Sequence, residues 1–232
     1  MAETRGADGA QTLERGLRVL RLLAASPDGL TATEVAHAQG VHRSVAYRLL
    51  KTLVRQRFAA RDAHARYRVG ADLVVLAEQV RPRLREVAEE PLRRLADALD
   101  ATACLVVPDG EEAVAVSVVE PSSHRARVSY RIGNRDPLDR GAGGIAVLAA
   151  GPAVDGEPDR VRQARRRGYA TTSGEVVPGT YAVSAPVRTA HPDGPAGVLL
   201  ITLRPDAAEA AVGPVLAAAE EIARALETPR RD

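Results

Sequence analysis

The chain has 232 residues, of which 45% are hydrophobic and 27% charged. That is long enough for one large domain or two modest ones, with the composition of an ordinary globular protein. The net charge of +2 conceals an asymmetry: residues 1–70 hold 12 Arg/Lys against 6 Asp/Glu, and the remainder 20 against 24. A basic first third on an acidic remainder points to a nucleic-acid module joined to something else. Arg outnumbers Lys 31 to 1 and Ala is abundant, so Arg content by itself is poor support for nucleic acid. The single cysteine, Cys104, excludes an intramolecular disulfide and lies in an apolar run, TACLVV, as a core residue would. One cysteine and five histidines offer no metal-ligand spacing, and no metal or cofactor is expected. No apolar run approaches the roughly 18 residues of a membrane span, and the N-terminus lacks the apolar core of a signal peptide. The expected location is the cytoplasm, with no membrane partner.

Residues 1–11 are polar and Gly/Ala-rich, the pattern of a disordered tail. Thr12 is placed to cap a helix with the apolar stripe Leu13, Leu17, Leu20 and Leu23, and Val19 beside it; Ser26-Pro27-Asp28-Gly29 ends it. Thr31–Arg55 then reads as a short helix, a tight turn at Gly40 and a second helix. Thr31 and Glu34 have capping-box spacing, and Val45, Ala46, Leu49, Leu50 and Leu53 recur at helical spacing. The other face of the second helix carries Arg43, Ser44, Tyr47, Arg48, Lys51 and Arg55, a basic stripe suited to the DNA major groove.

Two short extended runs, near Phe58–Arg61 and Arg66–Val69, flank a polar turn and predict a β-hairpin. A hairpin after a recognition helix is the wing of a winged helix, and Arg57, Arg61, Arg66 and Arg68 would carry charge to phosphates. A solvated edge hairpin favours charge as well. Residues 12–70 are therefore read as a winged helix-turn-helix DNA-binding domain and 71–82 as a linker helix that Pro82 interrupts.

From Arg83 to Leu99 a second helix is expected, then strands at 101–108, 112–120 and 125–133. Residues 141–151 read as a Gly-rich turn entering a short helix, and 157–168 as a charged helix stopped by Gly168. Strands in YATTSGE, TYAVSAPVRT and PAGVLLITLR follow, with a closing helix over 206–227 interrupted near Gly213-Pro214. Antiparallel strands with helices packed on one side make an α+β domain over 83–232.

The segment LERGLRVLRLLAASPDGLTATEVAHAQGVHRSVAYRLLKTLVRQRFA, with R-S-x-A-Y-R-L-L at Arg43–Leu50, resembles the winged helix-turn-helix of the IclR-type bacterial transcription regulators. PLDRGAGGIAVLA (137–149) lies where that family carries P-L-H-x-x-x-x-G-K-A, and RRGYATTSGEVVPGTYAVSAPV (166–187) resembles its R-G-Y-A-x-x-x-E-x-x-x-G-x-x-x-x-A-P-V segment. The resemblance covers the chain from about Leu13 to the last helix. It implies operator DNA bound by the N-terminal domain, a small molecule, often a carboxylate or aromatic metabolite, held in a GAF-like C-terminal domain, and a homodimer or homotetramer that represses or activates. His42 stands where relatives often have Pro, Asp139 where they have His, and Ile145 where they have Lys.

The expected DNA-binding residues are Thr31, His42, Arg43, Ser44, Tyr47, Arg48, Lys51, Arg55 and Arg66. Arg43, Ser44, Tyr47 and Arg48 lie in the first turns of the recognition helix, which reach base edges; Lys51, Arg55 and the wing arginines are phosphate contacts. His42 is a contact or a helix cap, and Tyr47 contacts DNA or packs on the wing. In the C-terminal domain, Gly141–Gly144 opens an apolar helix whose free amides and dipole favour an anion, and Arg140 is placed to pair with a carboxylate. By family position, Ala142 and Gly143 contact ligand through main-chain amides, and Thr172, Thr180, Tyr181, Ala182 and Thr202 supply the second wall. The expected function is a ligand-responsive regulator that binds a palindromic double-stranded operator. The alternative is a DNA-binding regulator whose C-terminal domain serves only oligomerisation or partner binding, without an effector. No enzyme is expected: Ser184, His191 and Asp193 lie in one strand and its turn without a nucleophile elbow, and the Gly-rich loop matches neither G-x-G-x-x-G nor a P-loop.

Overall fold

The computed structural model describes residues 10–123, 128 and 130–228. The chain divides into two compact units, 1–80 and 81–232. The tail expected over 1–11 lies outside the described residues except for Ala10 and Gln11, and Gln11 is already helical. In the first unit α1 (Gln11–Ala24), α2 (Ala32–Gln39) and α3 (Arg43–Arg55) are followed by the hairpin β1 (Ala59–Arg61) and β2 (Tyr67–Val69) and by α4 (Asp72–Glu78). Val19, Leu23, Val35, Ala36, Ala46, Leu49, Leu50, Ala59 and Tyr67 form its core. These are the positions that helical periodicity turns to one side.

Three expectations for this unit need correction. Thr12 does not cap α1; the helix starts two residues earlier than that cap implies, at Gln11, and its cap residue Ala10 makes no side-chain bond. Leu13 and Leu17 do not face the core, being 63% and 49% exposed, because only Val19 and Leu23 of α1 are buried. The linker helix expected over 71–82 spans only Asp72–Glu78 before Pro82 and buries none of its residues.

The second unit runs α5 (Pro82–Leu99), β3 (Thr102–Asp109), β4 (Glu112–Val119), β5 (Arg135–Pro137), α6 (Gly141–Ala150), α7 (Asp159–Arg167), β6 (Ala170–Ser173), β7 (Tyr181–Val187), β8 (Ala196–Thr202) and α8 (Pro205–Glu227). One sheet of order β5-β4-β3-β8-β7-β6 joins the strands, every neighbouring pair antiparallel. Of the strand expected over 125–133, residues 125–127 and 129 lie outside the described residues, while 128 and 130–133 are described and form no strand; the described strand of this region is β5.

The helices do not pack on one side. Leu84, Ala88, Leu92, Val215 and Ile222 of α5 and α8 meet one face, and Ala142, Ile145, Val161 and Ala164 of α6 and α7 meet the other. The central strand β8 is buried at every position, as sheets covered on both faces require, and reads as the continuous apolar run AGVLLIT rather than an alternation. The closing helix is not interrupted at Gly213-Pro214. It runs unbroken with Pro214 inside it, because Ala207, Ala211, Val215, Ala218, Ala219, Ile222 and Leu226 are buried along its length and offset the missing amide. The Gly141–Gly144 run is the first turn of α6 itself rather than a turn before it.

Candidate nucleic-acid interface and effector pocket

The α2–α3 turn is built by its caps. The Thr31 hydroxyl accepts from the Glu34 amide at 3.3 Å while the Glu34 carboxylate accepts from the Thr31 amide at 2.7 Å. Gly40 ends α2 in the left-handed region at φ 60°. His42 caps α3: its Nδ1 accepts from the Ser44 amide at 3.3 Å and lies 2.8 Å from the Ser44 hydroxyl. With Nδ1 accepting, the ring proton sits on Nε2 and is the donor left for an external partner. Thr31 and His42 thus have structural work before any DNA contact, and Ser44 is tied to His42.

Arg43, Tyr47, Arg48, Lys51 and Arg55 are exposed on the face of α3 opposite Ala46, Leu49 and Leu50, and Tyr47 is 49% exposed. Among the described residues, the side chains of Arg43, Arg48, Lys51 and Arg55 have no ion-pair or hydrogen-bond partner. A row of four unneutralised cations on one helix is unusual in this chain, where Arg18, Arg93, Arg94, Arg135, Arg160, Arg162, Arg165 and Arg204 all pair with carboxylates.

The wing arginines behave differently. Arg66 Nε lies 3.1 Å from both the Gly29 and Asp28 carbonyl oxygens, its Nη2 donates to Gly29 at 2.9 Å, and it pairs with Glu34 at 3.4 Å. Arg68 donates to the Pro27 carbonyl at 2.8 Å and to Asp28 at 3.2 Å. Arg61 stacks over the Tyr67 ring, 5.7 Å from its centroid. Arg66, expected at phosphates, is committed to the loop between α1 and α2; it ties the wing to that loop beside the paired backbone bonds of Leu30 and Tyr67. Thr31 and the Glu34 carboxyl share this corner. The hydrogen bonds of Thr31 hold that carboxyl below its usual range, and Arg66 adds to the effect.

In the second unit a pocket surrounds the N-terminus of α6. Arg140, Ala142, Gly143, Thr172, Thr180 and Ala182 line it, together with Tyr130, Asp136, Gly141, Gly144, Glu175, Val176, Val177, Leu199 and Ile201. Tyr181 and Thr202 do not reach it. They pair with each other across β7 and β8, and strand alternation turns them to the α5/α8 side with Val183 and Leu200, while Ala182 and Ile201 face α6. Tyr181 instead lines a groove with Ala208 and Val212 of α8.

The first α6 amides are occupied from within the chain. The Gly141 amide donates to Glu175 Oε2 at 3.0 Å and the Ala142 amide to Thr172 Oγ1 at 3.1 Å. Arg160 donates through Nη2 to both Glu175 oxygens, at 2.6 and 2.8 Å. Burial pushes the Glu175 carboxyl up, but Arg160, the Gly141 amide and Arg140 outweigh it and hold the group below its usual range. Gly144 is glycine for contact: a Cβ there would lie 2.7 Å from the Pro137 and Leu138 carbonyl oxygens. At the other side of the pocket the Tyr130 hydroxyl donates to Asp136 Oδ2 at 2.5 Å, and burial, with that bond, pushes the phenol up. Glu175, Tyr130 and Asp136 were missed in the sequence; the Glu of the E-x-x-x-G segment was the signal for the first, and nothing local marked the other two.

The geometry offers no catalytic arrangement at Ser184. Its buried hydroxyl donates to the Val198 carbonyl at 2.9 Å, and Asp193 is spent on the Leu84 amide at the start of α5. Burial pushes the Cys104 thiol up, away from thiolate chemistry. Among the described residues no group of His, Cys, Asp and Glu is arranged to hold a metal ion, and no helix is long and apolar enough to cross a membrane.

Two family models match the chain: the IclR helix-turn-helix domain over residues 12–63 and the bacterial transcriptional regulator IclR C-terminal domain over 79–157. The HTH-type transcriptional regulator Rv1719 of Mycobacterium tuberculosis is 34% identical over 145 residues, 62% of this chain and 56% of that relative, so the match spans little more than half of the relative's length. The crystal structure of the Thermotoga maritima IclR is similar over 95% of this chain and 100% of its own, with 25% identity and a TM-score of 0.73. An IclR homologue of Microbacterium hydrocarbonoxydans complexed with 4-hydroxybenzoate shares the fold over 93% of this chain and 98% of its own, with a TM-score of 0.78 and 23% identity.

Proposed function

The chain belongs to the IclR family of bacterial DNA-binding transcriptional regulators, and we propose that it reads a palindromic operator through α3 and answers to a small organic carboxylate held at α6. The Mycobacterium tuberculosis relative reported above is named as a transcriptional regulator. The observation that supports operator reading is the row of unpaired cations on α3. Arg43 and Arg48 stand in its first two turns, where bidentate contact to guanine discriminates by about 1–3 kcal/mol. Tyr47 and Ser44 lie between them, and Lys51 and Arg55 set affinity at phosphates. Residues 12–70 form the DNA-binding domain in this reading, 71–82 the linker, and 83–232 the effector domain.

A homodimer is part of this reading, since a two-fold protein suits a palindrome. Leu13 and Leu17 on α1, and Val74, Val75 and Leu76 on α4, are exposed within the first unit, and apolar surface of this kind marks an interface. A two-fold dimer places its recognition helices on half-sites about 34 Å apart. Fluorescence anisotropy of a palindromic operator against salt tests the reading: six or more phosphate contacts give a log–log slope of about −5 or steeper, and a flat slope refutes it.

For the effector, support comes from the start of α6 and Arg140 at one side of the pocket and the Tyr130–Asp136 pair at the other, and from the 4-hydroxybenzoate complex of the structural relative. One observation favours the alternative, in which the second unit serves only oligomerisation or partner binding. The pocket holds about 30 Å³ of free space, room for a water and far below the roughly 300–1,000 Å³ of ligand pockets. Thermal-shift screening of carboxylate metabolites, 4-hydroxybenzoate among them, separates the readings: a stabiliser supports the effector site, and operator binding indifferent to every carboxylate supports the alternative.

A further inference from the structure

The pocket at α6 already holds a carboxylate, and it belongs to the chain itself. A helix start leaves its first amides without internal partners and favours an anion there. Glu175 supplies that anion: its Oε2 accepts from the Gly141 amide at 3.0 Å, and both its oxygens accept from Arg160. A carboxylate arriving from outside meets an amide whose one proton is already given.

The segment that brings Glu175 in is built as a flap. Gly174 and Gly179 bracket it at φ 64° and 76°, left-handed positions that glycine adopts without strain. Its ends are tied by the Gly174 amide to the Thr180 carbonyl at 2.8 Å, and its interior by the Thr180 hydroxyl to the Val177 carbonyl at 2.7 Å. Val176 lies over Gly141 so closely that a Cβ there would sit 2.7 Å from its Cγ2. With the flap down, the space left at α6 is the 30 Å³ noted above.

Resting on the reading of this pocket as the effector site, we propose that Glu175 is a resident competitor: the effector's carboxylate takes its place on the Gly141 amide and beside Arg160, and the 174–179 flap lifts as the two exchange. One negative charge replaces another, so the cations Arg160 and Arg140 face a carboxylate both in the closed state and in the liganded one. The exchange selects the ligand class. A carboxylate inherits the amide and the guanidinium, whereas the corresponding neutral amide cannot replace the charge-assisted bonds it would have to break. It also sets the threshold. Only the fraction of molecules with the flap raised is competent to bind, and the apparent Kd is the intrinsic value divided by that fraction.

The test is isothermal titration of the full-length protein with 4-hydroxybenzoate and with 4-hydroxybenzamide, for the wild type and Glu175→Gln. The glutamine keeps the shape and still accepts from Gly141 but gives up the charge facing Arg160. Loss of that charge assistance raises the open fraction, and 4-hydroxybenzoate binds roughly tenfold more tightly, while the benzamide binds neither protein. Hydrogen exchange on the wild type supplies the second readout. Ligand ordinarily slows exchange where it binds; here saturation with 4-hydroxybenzoate accelerates exchange at Gly174 and Thr180 while α6 stays protected. Binding seen only in the variant supports the proposal. Wild-type binding with no gain in the variant, or a flap that becomes more protected, overturns the role of Glu175 and leaves the pocket reading intact. Failure of 4-hydroxybenzoate to bind either protein overturns the exchange, and the pocket reading then stands or falls with the wider carboxylate screen. Should Glu175→Gln fail to fold, the wild-type exchange result decides alone.

Discussion

Replacing Arg66 by Ala separates a cation that holds the fold from one that holds DNA. Its guanidinium donates to the Gly29 and Asp28 carbonyls at 2.9–3.1 Å and pairs with Glu34 at 3.4 Å, and its side chain is 34% exposed. Hydrogen bonds from a charged donor stabilise by about 1.5–3 kcal/mol when well shielded, and an exposed partner such as Glu34 adds little. Discounted for its partial exposure, Arg66→Ala costs the first unit about 1–2 kcal/mol. The bonds it supports are Leu30 N–H to the Tyr67 carbonyl at 2.9 Å and the reciprocal bond at 2.7 Å. Native-state hydrogen exchange of the full chain should therefore show Leu30 and Tyr67 losing about 5–30-fold in protection. The salt slope of operator binding stays where it was. Lys51→Ala gives the mirror result, unchanged protection and a slope shallower by about one. An Arg66→Ala protein with intact protection and a slope reduced by one refutes the assignment and returns Arg66 to the phosphates.

Arg48→Ala should weaken operator binding by about 1–3 kcal/mol and random DNA by much less, measured by anisotropy at one salt concentration; equal losses on both would make it a phosphate contact. Ile222→Ala removes a fully buried side chain from the layer between α8 and the sheet and should destabilise the second unit by about 2–5 kcal/mol in urea titration. The Glu175 carboxyl has its pKa lowered in the folded chain, so its contribution is complete above the ordinary value of 4.5 and is lost as the pH falls through the lower folded value. The stability difference between wild type and Glu175→Gln should accordingly be constant from pH 5 upward, at about that value and above, and shrink on acidification; a difference that grows in acid would contradict the paired geometry.

The sequence by itself determined the helix-turn-helix, its caps and the outward stripe of α3. These are local matters: Thr31 and Glu34 are three residues apart, Gly40 ends its own helix, and helical periodicity within thirteen residues separates Ala46, Leu49 and Leu50 from Arg43, Arg48 and Lys51. The apolar runs of β3, β4 and β8 were legible for the same reason. Tertiary structure decided which cations remain free. Arg66 and Arg48 look alike in the chain, but Arg66 meets carbonyls 37 residues away, and no periodicity encodes that meeting. It also decided that helices cover both faces of the sheet, that Tyr181 and Thr202 turn from the pocket, and that Pro214 is carried inside a helix whose burial outweighs a missing amide. The same holds for Glu175, brought to Gly141 across 34 residues: the glutamate and the Gly-rich helix start were each visible, and only the fold set one upon the other.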